Sequence, residues 1–424
     1  MPPDSRQILE FARSVNAILL IPHGRAGSFF IQSLFDGHPQ IISFPSYFSR
    51  YGWDIKEAKR SFSNFIDHFC EENSDFFDST KDAYITDTNW NTPSLLGDGK
   101  NENFSIDIQS FKESFLRAIE ILAHSEDLTH KDLAIALHAA FAEATGRDLK
   151  DLKFILVHQH GGDRYSPSVD SILKDFPNLY FIVPIRDLRE SWLGFQSLLT
   201  ARWGPQDYFN FTLRNIRLHV SLFNELLDYF PRFREDHVRL VDLERLHLIQ
   251  ADGMKALSVW LGIRFHPTLV KSTFFGKTWW GNASDGKALD SFSTSRTIYK
   301  WPTKLAADEI QVVEYLSCYL SETFRFKAPE MPTSARQFYG KLFLHPPIFN
   351  TPKRNSAFYN KLMSDVSANK IKKLLLLAYN FAFLGLKSFV FFLDRFSPIA
   401  LIFFERRRRK YSRHPARLPE NVFL

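Results

Sequence analysis

Residues 17–39 read AILLIPHGRAGSFFIQSLFDGHP. The first five, 17–21, form a short apolar run with the length of one buried strand. His23-Gly24-Arg25-Ala26-Gly27-Ser28 follows, a loop with two glycines and one fixed cation. From Ser28 the period changes: Phe30, Ile31, Leu34 and Phe35 fall at helical spacing, and Gly37 and Pro39 stop the helix. A strand, a glycine loop and a helix start together make an anion seat. The glycines let the backbone approach the ligand, and the first N–H groups of the helix point at it. The same letters also suit an ordinary strand-turn-helix, because loops with two glycines are common. The loop is not a Walker A sequence. No Lys follows Gly27, and Phe29 stands where a magnesium-binding hydroxyl is expected.

Further strands are predicted at 41–43, 154–157, 179–185 and 238–243, with helical patterns between them. Apolar strands that alternate with helices predict an α/β fold, a P-loop-type parallel sheet with helices on both faces. Ligands of such sheets sit outside the carboxyl ends of the strands, where 24–28, His160 and Arg186 all lie. Residues 44–150 read as a long helical insertion, with patterns at 58–69, 111–123 and 131–144 and a polar link at 87–103. Helices are also predicted near 169–176 and 304–324, and Asp252 reads as the N-cap of a helix that Gly262 closes.

The chain of 424 residues is 45% hydrophobic and 15% aromatic, enough for a sizeable core. Its 43 Phe suggest apolar surfaces beyond an ordinary core. Only Cys70 and Cys318 are present, which argues against a disulfide framework and for a reducing compartment. The first residues, MPPDSRQILEFARS, contain no charged-then-apolar signal, so a cytoplasmic location is expected. The net charge of +6 is uneven: from Lys361 onward there are 13 Lys and Arg against 4 Asp and Glu, and the remainder is slightly acidic. A nucleic-acid enzyme carries its basic stripe through the body, so no nucleic-acid partner is expected.

The loop 24–28, followed by Asp36-Gly37-His38-Pro39, resembles the 5′-phosphosulfate loop of the sulfotransferases, a divergent bacterial or carbohydrate-type member. That family reads Pro-[Arg/Lys]-Ser-Gly-[Ser/Thr]-Thr, then a helix ending in Asp-Ser-His-Pro. Gly24, Ala26 and Phe29 depart from the pattern. The stretch 176–189, with Phe176-Pro177, an apolar strand and Arg186-Asp187-Leu188-Arg189, resembles the family's 3′-phosphate motif. Leu188 replaces its Pro, and Gly194 stands where it has a phosphate-binding Ser, for which Ser191 or Ser197 could substitute. Residues 261–267 resemble a late scaffold signature, and the Trp-rich stretch 275–284 resembles a loop near the cofactor, with Lys277 or Arg296 in reach of the 3′-phosphate.

The resemblance implies 3′-phosphoadenosine-5′-phosphosulfate as donor and no metal. It implies that Gly24, Arg25, Ala26, Gly27, Ser28 and Phe29 cradle the 5′-phosphosulfate, and that Arg186, Ser191 or Gly194, and Lys277 serve the 3′-phosphate. A Lys-Thr-His triplet ends the equivalent strand in cytosolic members, so His160 takes the place of the catalytic base and His158 that of the Lys. A neutral imidazole suits that role because its ordinary pKa lies near physiological pH. A hydrogen-bonded loop histidine is the other reading of His160. The insertion lies where the family shapes its acceptor pocket, so it is expected to bind the hydroxyl acceptor.

The catalytic body is expected to span 1–326, with 327–369 as a Pro- and aromatic-rich linker or wrapping loop. In the last part, 370–424, a 20-residue, mostly apolar run at 374–393 contains Lys387, and a second apolar piece, 399–404, precedes Arg406-Arg407-Arg408-Arg409-Lys410. A helix lying on an anionic membrane surface, a spanning helix, and a helix packed on the enzyme or a second subunit are all compatible. The interfacial form makes a glycan or lipid the expected acceptor. Two other functions stay open: a catalytically degenerate, membrane-associated partner protein, motivated by the missing hydroxyls, and a P-loop kinase.

Overall fold

The computed structural model describes residues 3–21, 25–47, 51, 53–81, 96–123, 128–159, 165–203, 234–281, 291–296, 299–307, 309–310, 313–314 and 424. Two compact units divide the chain. One contains Met1–Arg186, Asp228–Tyr299 and Pro419–Leu424, the other Asp187–Leu227 and Lys300–Leu418.

The first unit is built on five parallel strands: β1 (Asn16–Leu20), β2 (Ile41–Ser43), β3 (Phe154–His158), β4 (Tyr180–Ile185) and β5 (Val238–Asp242). Their order is β2-β3-β1-β4-β5, with β1 central. Leu20 is opposite His158 on one side and Ile182 on the other, and Ile185 is opposite Asp242. The strands therefore end together. Flanking helices bury both faces, which is why the strands read as unbroken apolar runs. Ile18, Leu20, Leu156, Ile182 and Val241 pack with Ile31, Leu34 and Phe35 of α2 (Ser28–Phe35) and with Met254, Leu257 and Leu261 of a later helix. Each such side chain contributes about 1.5–3 kcal/mol when fully buried. The alternate residues Ala17, Leu19, Ile155 and Val157 are equally buried. Helix α1 (Ser5–Ser14) precedes β1, closed at its start by an Asp4–Gln7 capping box. The last residue, Leu424, donates its N–H to Leu240 O and packs on the same core.

Between β2 and β3 the chain is helical: α3 (Ile55–Arg60), α4 (Phe62–Glu72), α5 (Ile108–Leu122) and α6 (His130–Ala144). Phenylalanines fill this layer. Phe44 lies 4.2 Å from Phe141, and Phe77 lies 4.7 Å from Phe111. Among the described residues, Phe265 is the one Phe among the exposed large hydrophobics; the Phe beyond residue 314, on which the expectation of apolar surfaces also rests, lie outside the described residues. Helices that bury broad apolar faces on one another need large rings to fill the gap, and the Phe of this helical layer do so.

Helix α7 (Tyr165–Asp175) leads into β4, α8 (Leu188–Trp203) follows it, and α9 (Leu243–Leu261) follows β5. The α9 start corrects the sequence reading. Asp242 accepts from the Arg245 N–H and caps the helix, so it begins nine residues before Asp252. A kink at Gln250 (φ 44°) separates the two segments, and this is where the apolar pattern restarts. Within the helix expected at 304–324, the described residues 307, 309–310 and 313–314 are helical, and the Ile310 N–H donates to Ala306 O. A short α10 (Trp301–Lys304) ends at Leu305, and 315–324 lie outside the described residues.

In the second unit α8 carries a buried ion network. Arg189 pairs with Asp187 at 2.6 Å and Glu314 at 2.7 Å and stacks over Trp301, and Glu190 accepts from the Lys300 and Trp301 N–H groups. Among the described residues no helix is long and apolar enough to cross a membrane. The apolar run and basic cluster between 370 and 423 lie outside those residues.

Candidate active site

The carboxyl ends of β3, β1, β4 and β5 bring four segments of the first unit to one edge of the sheet. These are the loop before α2, His158-Gln159, Arg186, and Asp242-Leu243-Glu244. This is the edge where parallel sheets place their ligands.

The loop is left-handed at two positions, Arg25 (φ 50°) and Gly27 (φ 78°). Glycine adopts that conformation without strain, whereas an arginine pays for it, and such residues persist only where their surroundings over-determine them. Here Arg186 Nη1 donates to Arg25 O at 3.4 Å, and the Leu243 side chain lies against Gly27. Gly27 then opens α2, and its carbonyl accepts from the Ile31 N–H. The N–H groups of the first turn are left for a ligand.

Two guanidiniums face each other at this loop. Arg25 is half-buried, and its side chain has no hydrogen-bond or ion-pair partner among the described residues. Burial, and then the charge of Arg186, push its pKa down to about 10. Arg186 Nε donates to Glu244 Oε1 at 2.9 Å. Glu244 is 6% exposed. Burial pushes its carboxyl up to about 7; Arg186 opposes that shift and Asp242 adds to it. Among the described residues, two cations here face one carboxyl that burial makes reluctant to ionise, with Asp242 beside it.

Beside the loop stands an aromatic wall. The Phe29 ring lies 5.1 Å from His158, 6.1 Å from Tyr47, 6.4 Å from Trp279 and 6.5 Å from Phe274. Phe29 thus acts by packing where the resemblance implied a hydroxyl. His158 is buried, and its Nδ1 meets Gln32 Oε1 at 2.7 Å. The amide of Gln32 donates to Phe44 O and Ser46 O, so its oxygen is the acceptor. The imidazole therefore carries its proton on Nδ1, and Nε2 holds the basic lone pair. Gln159 Oε1 and Trp279 Nε1 are buried and have no protein partner among the described residues.

The sequence-predicted residues fall into groups. Arg25, Gly27, Ser28, Phe29 and Arg186 meet at the sheet edge; Ala26 is buried beside them. Gly24 and His160 lie outside the described residues. Lys277 is paired with Glu102, so its charge is already met. Ser191 is fully buried on α8 in the second unit, its N–H donating to Asp187 O; Gly194 is on the same helix. Asp36 and His38 are latches. Asp36 Oδ2 accepts from Thr273 Oγ1 at 2.9 Å and Gly276 N–H at 3.0 Å, holding the turn between β6 (Thr273–Phe274) and β7 (Lys277–Thr278). His38 Nε2 meets Arg264 O at 2.9 Å.

Sequence reading missed Glu244 and Gln32. Gln32 lies inside a predicted helix and Glu244 just past a predicted strand, places where a polar residue passes for a solvated one. Glu244, two residues beyond a strand that ends at the carboxyl edge, carried the one available signal. Among the described residues no group of His, Cys, Asp and Glu side chains could hold a metal ion.

No known protein family matches the chain, and no curated protein matches it. Three sulfotransferases are among the similar solved structures. A sulfotransferase domain from the curacin biosynthetic pathway is 13% identical, over 74% of this chain and 99% of that one, at a TM-score of 0.37. A sulfotransferase domain from the Synechococcus PCC 7002 olefin synthase is 13% identical, over 78% and 99%, at 0.38. Sulfotransferase STF9 from Mycobacterium avium is 12% identical, over 77% and 81%, at 0.37. At these TM-scores the superpositions are loose, and the chemistry of the site rests on its own residues.

Proposed function

We propose that the chain is a sulfotransferase that takes a sulfuryl group from 3′-phosphoadenosine-5′-phosphosulfate and passes it to an acceptor hydroxyl. The observation that carries this reading is the pair Arg25–Arg186, two guanidiniums at a left-handed loop that opens a helix. A half-buried guanidinium without a partner among the described residues fits a phosphate better than any neutral ligand. The residues of the loop fit the donor. Gly27, Ser28 and the first-turn N–H groups of α2 would hold its 5′-phosphosulfate, and Arg186 its 3′-phosphate.

When bound, the donor supplies an activated sulfuryl group on a phosphate leaving group. Arg25 stabilises the charge that grows on the bridging oxygen as the S–O bond breaks. Arg186 fixes the register of the donor and so the line of attack. The imidazole of His160 takes the acceptor's proton, and His158 one alternate position earlier is held in a base-ready tautomer. The aromatic wall around Phe29, with the buried Gln159 Oε1 and Trp279 Nε1 as polar points, suits a hydroxyl on an apolar or sugar-like body. The helical layer 44–150 would recognise the rest of the acceptor. The basic run at 406–410 would hold the enzyme at an anionic membrane on its cytoplasmic side, which makes a glycan or lipid the acceptor class.

One observation favours a second reading. With Ala26 and Phe29 in the loop, Ser28 is the only hydroxyl between 25 and 29, and Arg186 already has Glu244 as partner. A degenerate member that keeps the fold and binds a partner would look the same. The two separate in one experiment. Adenosine 3′,5′-bisphosphate at 100 times its Kd should stabilise the enzyme by about 2.7 kcal/mol, and radiolabelled donor should label a glycan or lipid in an acceptor screen. Binding without transfer to any acceptor supports the degenerate reading, and no binding sinks the donor site.

A further inference from the structure

The described residues of the loop carry a charge imbalance that a phosphate alone would overcorrect. Arg25 and Arg186 contribute two positive charges, Glu244 faces them through its 2.9 Å contact with Arg186 Nε, and the Asp242 carboxyl stands beside Glu244. A dianion that settles on both arginines comes up beside the Glu244 carboxylate, which is buried and cannot turn to water. Either the carboxylate repels the ligand or it loses its charge.

We propose that Glu244 is the positioning residue of this anion site: it holds Arg186 against the loop before the phosphate arrives, and it takes one proton from solvent when the phosphate draws on Arg186. The inference rests on the reading of the loop as a phosphate seat and adds to it a residue and a proton.

The surroundings allow the exchange. The step adds one proton to one carboxylate and moves nothing else. Asp242 beside it adds a like charge that favours the neutral acid. Two carboxyls in contact disfavour double ionisation, and burial adds to that. The empty site then titrates near neutrality, within reach of a bound anion's push. The charged groups that face Glu244 are Arg186 from the end of β4 and Asp242 from the end of β5, with Arg25 behind Arg186 on the loop. On α9 itself the neighbours are Arg245 and, one turn on, His247, which stacks on Phe30 at 4.6 Å. The 3₁₀ turn Pro267–Val270, also packed on α9, carries no charge, and the turn Thr294–Arg296 carries Arg296 in its sequence.

The sign of the effect follows from linkage. A ligand that raises the pKa of Glu244 binds with uptake of a proton, so its affinity is level below about pH 7 and falls as pH rises above it, by up to tenfold per unit. The full chain is titrated with sodium sulfate, a dianion across this range, and with adenosine 3′,5′-bisphosphate. The melting temperature is followed from pH 6 to 8.5 at constant ionic strength. The parent should lose affinity for both above pH 7. Glu244→Gln keeps an oxygen for Arg186 Nε and should bind both with a flat pH profile, more tightly than the parent at pH 8.5. A merely structural Glu244 would lower stability and leave the slope intact. The proposal is overturned if the parent's affinity is the same at pH 6 and 8.5, if Glu244→Gln keeps the parent's slope, or if neither anion shifts the melting temperature. If sulfate shows the slope and the nucleotide does not bind, the role of Glu244 stands and the donor reading falls.

Discussion

The Gln32 side-chain oxygen sits 2.7 Å from His158 Nδ1, and the Gln32 amide nitrogen donates to the carbonyls of Phe44 and Ser46. One helical residue thus ties the loop helix, the end of β3 and the chain beyond β2. Gln32→Leu leaves buried carbonyls and an imidazole unmatched, each at about 1–3 kcal/mol. Its melting temperature should drop well below the parent's. For catalysis, His160→Ala should lower transfer by about 10²–10⁴ with donor affinity kept, as for a proton-transfer residue. If His158→Ala abolishes transfer and His160→Ala does not, the base is the imidazole that Gln32 orients.

Arg25→Ala and Arg186→Ala each remove a charge-assisted contact worth about 1.5–3 kcal/mol. Titration calorimetry with adenosine 3′,5′-bisphosphate should show both losses. Arg186→Ala should also erase the preference for that ligand over adenosine 5′-phosphate. Parent-like binding by both variants would remove the site assignment.

Gly27 has φ 78°, and a Cβ there would stand 2.7 Å from both methyl groups of Leu243. Gly27→Ala therefore meets left-handed strain of about 1–2 kcal/mol and a displaced leucine. Anion binding should suffer more than folding, because the loop turns at this residue. The Gly27→Ala/Leu243→Ala pair relieves the clash, so a double-mutant cycle should be non-additive. Additive losses would show that Leu243 does not shape the loop.

His138 is fully buried on α6, with Nδ1 against Ala134 O at 2.7 Å, and burial pushes its pKa down to about 4. The unfolded chain takes this proton near pH 6.5, while the fold refuses it until about 4. More protons are then bound by the unfolded state, and stability falls as pH drops through that window. Glu244 and Asp75, pushed up to about 7 and about 6 by burial, act with the opposite sign. The quantity to follow is the difference in unfolding free energy between the parent and His138→Gln. The parent's advantage should shrink by up to about 1.4 kcal/mol per unit from pH 6.5 to 4. A constant difference would mean that His138 titrates normally.

The basic run at 406–410 should bind anionic vesicles at about 1 kcal/mol per cation, an attraction that fades with salt. Replacing Arg406, Arg407, Arg408 and Arg409 with Gln should weaken sedimentation with anionic vesicles much more than with neutral ones. Equal binding to both vesicle types, or none, would end the idea of a lipid-side acceptor.

The sequence by itself determined the sheet and the position of the loop. Strands buried on both faces must be apolar at every position, so β1, β3, β4 and β5 could be read one by one, and the switch to helical spacing at Ser28 marked the turn between them. It also pointed to Arg25 and Arg186, through the resemblance of the stretches that carry them to phosphate-binding motifs. What a polar residue faces is a property of its neighbours across the fold, and there the sequence was silent. Glu244 stands 58 residues from Arg186. Their pairing depends on β4 and β5 lying side by side. Gln32 stands 126 residues from His158 and is indistinguishable from a surface glutamine until β1 and β3 are paired. Asp36 and His38 read as part of a cofactor motif and became latches for segments more than 200 residues away. Local periodicity records which face a residue takes. Only the packed sheet decides which charge it meets there.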